Sequence, residues 1–146
     1  MIKFVKAGAL TLSAITAVAL LPTAAEAASP QSLCGAGYTI VKDGSRAIKT
    51  KSGEQLGVTY VLYSGRTGKN CAVTIKTKYV GKPSYTYVRL EVKKGPWDSD
   101  SGDFTRYAGP VYVSARHKCV SYWGNVSSPD GKKSAYGGRT KFDNCG

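Results

Sequence analysis

Apolar and polar residues alternate along much of the chain after Ser29, and no window keeps apolar residues at the i, i+3, i+4, i+7 spacing of an amphipathic helix. In 85–92, Val88, Leu90 and Val92 alternate with Tyr87, Arg89 and Glu91, which predicts a strand with one buried face. The same rule in 70–76 turns Cys71, Val73 and Ile75 inward and Ala72, Thr74 and Lys76 outward. Candidate strands cover 37–43, 56–64, 70–78, 85–93, 104–108, 110–115 and 118–124, all rich in Val, Tyr, Thr or Ser. Turn chemistry separates them at Asp43-Gly44-Ser45, Ser52-Gly53, Gly65-Arg66-Thr67-Gly68, Gly81-Lys82-Pro83, Lys94-Gly95-Pro96 and Ser99 to Gly102. The expected fold is all-β, a small antiparallel β-sandwich or barrel.

The N-terminal 27 residues follow a different pattern. Lys3 and Lys6 precede an apolar run from Ala7 to Leu21, and Ala25-Glu26-Ala27 fits a small-x-small cleavage site. The run is short and Ala/Thr-rich for a membrane span, which needs about 20 apolar residues. The expectation is a signal peptide over 1–27 and a single secreted domain over 28–146, with no membrane span in the mature chain. Lys3, Lys6 and Glu26 belong to the leader, so 19 of 21 basic and 8 of 9 acidic residues stay in 28–146, a balance of +11.

An exported domain changes the reading of the cysteines. Cys34, Cys71, Cys119 and Cys145 are even in number and match no zinc-ligand spacing. They are expected to form two disulfides that staple the sheet. Three pairings are open; the uncrossed one, Cys34–Cys71 with Cys119–Cys145, is favoured. Each bridge then closes a loop of tens of residues and contributes roughly 3–4 kcal/mol in the chain-entropy picture.

The lone histidine lies in VSARHKCVSYW, two residues before Cys119. A thiol nucleophile needs a free thiolate with a base in reach. A half-cystine removes it, and no Gly-x-Ser-x-Gly stands in for it. The stretch is read as a hairpin with Arg116 and His117 at its tip, Val113 facing Val120 and Val111 facing Tyr122. Asp98 to Asp103, DSDSGD, fails the EF-hand pattern at positions 6 and 12, and is read as a solvated turn. Gly65 to Gly68 is a hairpin tip, since a strand and not a helix follows it. No catalytic residue, cofactor or metal ligand is assigned.

The balance of charge is the remaining chemical signal. Basic residues run along the whole mature part, with ten tyrosines in the chain. Outside the membrane, anionic cell-wall or spore-surface polymers are nearer partners for such a surface than nucleic acid.

CGAGY (34–38), TGKNCAVT (67–74), VGKP (80–83), DSGDFTRYAGPV (100–111), KCV (118–120) and the final CG (145–146) together resemble the spore-associated protein A family of streptomycetes and related actinobacteria. The resemblance covers nearly all of 28–146. It implies a small exported protein of the spore or cell surface, with no assigned enzymatic activity and no catalytic residues to carry over. The expected function is therefore noncatalytic surface association. A secreted protease inhibitor, with its loop at Tyr107 to Pro110 or Gly124 to Gly138, is the first alternative. A small secreted hydrolase or nuclease toxin is the second.

Overall fold

The computed structural model describes residues 27–146, so the signal-peptide reading lies, but for Ala27, outside the described residues. A five-residue helix, α1 (Pro30–Cys34), precedes eight strands: β1 (Thr39–Lys49), β2 (Gln55–Ser64), β3 (Lys69–Lys76), β4 (Ser84–Val92), β5 (Trp97–Phe104), β6 (Tyr107–Ser114), β7 (Val120–Ser127) and β8 (Ser134–Asp143). They form two antiparallel four-stranded sheets, β1-β2-β3-β6 and β5-β4-β7-β8. This is the sandwich the alternation pattern predicts.

The main core fills the space between the sheets. Val88, Leu90 and Val92 of β4 meet Val61 of β2, Ala72 of β3, and Val111 and Val113 of β6 there. Each of these Val and Leu side chains gains about 1.5–3 kcal/mol from leaving water. Thr74 of β3 also points inward, and packs against Gly124 of β7 so closely that a Cβ there has no room. The margins of the sandwich are tied by side chains. Tyr122 donates from its hydroxyl to the Asp43 carbonyl at 2.7 Å, fixing β1 to the second sheet. On the other margin Asp98 accepts from the Tyr112 amide at 3.2 Å and Asp100 from the Gly109 amide at 2.8 Å.

Both disulfides take the uncrossed pairing, Cys34–Cys71 and Cys119–Cys145. The first pins α1 to the outer face of β3, above Leu62 and Val73. That cover reverses the expected faces of β3. Cys71 and Val73 point away from the partner sheet and are buried under α1, while Ala72, Thr74 and Lys76 face inward. Lys76 is 3% exposed, and its ammonium donates to the Lys82 carbonyl and the Ser84 hydroxyl, both at 2.7 Å, and to the Phe104 carbonyl at 3.0 Å. Burial lowers its pKa.

Four other expectations are corrected. Residues 110–115 and 118–124 do not form a hairpin: β6 pairs with β3, and β7 with β4 and β8. Val113 and Val120 do share a core, but across the sandwich rather than along a ladder. The Ser99–Gly102 turn is the interior of β5, held by the cross-margin aspartates. Residues 104–108 straddle the β5–β6 connection rather than forming a strand of their own. Asp43-Gly44-Ser45 is a bulge within β1, with Asp43 at φ 56°, and not its end. Strand β8 had no forerunner in the pattern, because Gly137, Gly138 and its charged residues break the alternation.

Candidate functional site

Three turns converge at one end of the sandwich. The 115–118 turn closes with the Lys118 amide on the Ala115 carbonyl, and His117 sits at φ 57° at its tip, exposed as the sequence predicts. The Arg116 guanidinium reaches the β2–β3 turn and donates to the Gly65 carbonyl at 2.8 Å. It lies over Gly68, at φ 68°, where a Cβ would come within 2.8 Å of its Nε. The β4–β5 turn joins them through the Lys93 amide on the Cys119 carbonyl. The Cys119–Cys145 bridge brings in the last residues, and Asn144 donates to the Lys42 carbonyl at 3.0 Å.

The result is a cationic rim. Lys42, Arg66, Lys69, Lys93, Lys94, Arg116 and Lys118 are all exposed there, and none takes part in an ion pair among the described residues. The acids nearby are engaged. Asp43 binds Arg46 at 2.6 Å, a hydrogen bond that lowers its pKa, and Asp143 accepts from the Asn144 amide. At the opposite end the lysines are partly neutralised. Glu54 pairs with Lys78 at 2.6 Å and Lys133 at 3.2 Å, and both bonds lower its pKa.

Within the rim lies a pocket of about 260 Å³, lined by Val41, Tyr63, Asn70, Ala115, His117, Asn144 and Gly146. Its wall is mostly apolar, with an imidazole and two amides. The Asn70 amide is committed to the Leu62 carbonyl at 3.0 Å, while Asn144 Oδ1 is buried without a partner. No side-chain carboxylate and no thiol lines the pocket. All four cysteines are in disulfides, so the Cys119–His117 proximity carries no nucleophile. Among the described residues no group of His, Cys, Asp and Glu is arranged to hold a metal ion. The acids of 98–103 do not meet this end either; Asp98 and Asp100 are spent on β6 amides. The stretches considered as inhibitor loops are strand for the most part: 107–110 is in β6, and 124–138 is β7, a tight 128–133 turn and β8.

Composition alone placed basic residues everywhere; it missed that the turns and strand ends at one end of the sandwich gather seven of them around one pocket. It also missed an aromatic row on the outer face of the second sheet, containing both tryptophans. Its trace in the sequence is the outward set Tyr85, Tyr87, Arg89 and Glu91, which is richer in rings than a solvated face requires.

These features define a class: a small basic β-sandwich held by two disulfides, the build of domains that fold in oxidising compartments. The chain is similar to the spore-associated protein A family. It is 44% identical over 106 residues to Spore-associated protein A of Streptomyces coelicolor, a match covering 71% of this chain and 62% of that protein. The chain thus spans less than two thirds of the length of the relative it matches. No family model matches it, and no solved structure does. Among the described residues no helix is long and apolar enough to cross a membrane.

Proposed function

We propose that this is a secreted, noncatalytic protein of the spore or cell surface, held there by anionic envelope polymers that bind its cationic end. The observation that carries the reading is the rim of seven Lys and Arg side chains without an ion-pair partner, five of them on the three converging turns. Spore association follows the name of the relative from Streptomyces coelicolor. A concave pocket inside a positive field raises the local concentration of polyanions. His117 acts at the rim as one more polar contact, not as a base.

The test is retention of the purified, oxidised protein on isolated cell wall or spores over a salt series. Exposed charges are screened beyond a Debye length of about 10 Å at 0.1 M salt and about 3 Å at 1 M. Retention through the rim is therefore strong in dilute buffer and lost near 1 M. A triple variant Lys69→Gln, Lys93→Gln, Lys118→Gln leaves the fold untouched and releases the protein at lower salt. Equal elution of variant and parent would refute the reading.

A further inference from the structure

The second sheet turns a different surface to solvent. Along the outer face of β4 stand Tyr85, Tyr87, Arg89 and Glu91, opposite in direction to the core residues Val88, Leu90 and Val92. Register places Arg89 between Ser99 of β5 and Trp123 of β7, and Tyr87 between Ser101 and Asn125. Asn125 in turn faces Tyr136 of β8. The Arg89 guanidinium lies 4.1 Å from the Trp97 ring centroid and 5.4 Å from that of Trp123, so one cation holds both indoles in place. Three of the five exposed large hydrophobic side chains among the described residues lie here: Trp97 at 56%, Tyr136 at 71% and Tyr85 at 46%.

One indole has an open flank. The residue opposite Trp123 is Gly138, at φ 148°, where a Cβ would run into the Trp123 backbone and the Tyr122 carbonyl. Without a side chain there, a groove of about 400 Å³ opens beside Trp123, bordered by Tyr136 and Thr140. The platform spans all four strands, roughly 14 Å at the usual interstrand spacing, and the two indoles stand about 10 Å apart or less.

The charges on this face select its occupant. The +12 chain carries its rims of lysine elsewhere, while Arg89 is paired with Glu91 at 3.1 Å. What remains is ring faces bordered by hydroxyls and by the exposed Asp103 carboxylate opposite Tyr85, the Asn125 amide being buried and bonded to Ser134. Between Tyr85 and Trp123 a polyanion finds only the paired Arg89; the free Lys93 and Lys94 stand on the turn beyond Trp97, at the edge of the platform. An uncharged pyranose chain with equatorial links fits both parts. Its C–H faces lie flat on aromatic rings, and its hydroxyls meet Ser, Thr and Tyr groups at the sides. We propose that the outer face of the β5-β4-β7-β8 sheet binds such a neutral, β-linked polysaccharide, with Trp123 and Trp97 under successive parts of the strand. At Trp97 this platform adjoins the turn that carries Lys93 and Lys94, and the high-salt measurement with the lysine changes tells the two sites apart.

The experiment is retention of the oxidised protein on insoluble chitin and cellulose at roughly 1 M salt, where charge contacts are screened to about 3 Å. Soluble chito- and cello-oligosaccharides, read by tryptophan fluorescence, give the affinity. Binding persists in high salt and survives the Lys69→Gln, Lys93→Gln, Lys118→Gln changes. Trp97→Ala and Tyr136→Ala, both at exposed positions that do not threaten the fold, each weaken it about tenfold or more; Trp97→Tyr restores most of it. Loss of neutral-glycan binding at high salt, or variants that bind like the parent, would overturn the proposal. So would a concentration-dependent dimer, or single-stranded DNA binding, abolished by the same two variants, since either would assign the face to another occupant.

Discussion

Replacing Tyr122 by phenylalanine separates the packing of this ring from the work of its hydroxyl. The ring is fully buried in the main core, and its hydroxyl donates to the Asp43 carbonyl at the β1 bulge, 2.7 Å away. Below pH 9, Tyr122→Phe leaves that carbonyl without its partner and costs about 1–2 kcal/mol. The alkaline range behaves differently. Burial pushes the phenol up to about 12 from 10.0, so between these values the folded chain holds a proton that the unfolded chain has released. Stability contributed by Tyr122 is complete below pH 10 and is lost as pH rises through 12, by roughly 3 kcal/mol in all at 1.36 kcal/mol per pH unit. Phenylalanine has no such loss. Urea unfolding of both proteins from pH 7 to above 12 therefore gives stability curves that cross: the parent leads at neutral pH and trails in strong alkali. Taking the difference cancels the other nine tyrosines and the lysines. Parallel curves would refute the argument, because they would mean that the hydroxyl is not buried in the folded state.

Other expected outcomes follow from packing and crosslinks. Gly124→Ala sets a methyl against Thr74 where the sheets approach, and lowers stability by about 1–3 kcal/mol in urea melts, whereas Gly65→Ala, with open space around it, stays within about 0.5 kcal/mol. Replacing Cys119 and Cys145 by serine removes a crosslink of sequence separation 26 and costs about 3–4 kcal/mol. It also frees Asn144 from Lys42, which amide hydrogen exchange at residues 140–146 detects as faster exchange. A mild amine-reactive label modifies the exposed lysines and spares Lys76 until the protein is unfolded; labelling of Lys76 in the native state would contradict its three-acceptor cage.

The alternation in 85–92 was legible because Val88, Leu90 and Val92 follow one another on the buried face of β4, while Tyr87, Arg89 and Glu91 stand on the other. It misled in β3, where both faces are buried: Ala72 and Thr74 beneath the opposite sheet, Cys71 and Val73 beneath α1. A short covering helix leaves little periodicity to detect. Local turn chemistry was sufficient for Gly65 to Gly68, where the chain does reverse within one sheet. It failed at 115–118, since a turn that closes a hairpin and a turn that carries the chain between sheets use the same residues. Strand β5 was hidden because aspartate and glycine signal turns; what makes them strand is a partner on another element, which no local window contains. The cationic rim is a tertiary feature in the same sense. Its residues lie in four separate stretches, joined by the second disulfide, the Arg116 contact, the Lys93–Cys119 bond and the Asn144–Lys42 bond.

The aspartates of β5 have a further effect. Both open sandwich margins end in strands whose amides are natural docking points for a neighbouring molecule. On the β5–β6 side, the carboxylates of Asp98 and Asp100 occupy the Tyr112 and Gly109 donors. Copies at high concentration pair most readily through exposed ladder groups of this kind. With carboxylates already seated on these two amides, the β5–β6 margin does not offer them to a neighbouring sandwich.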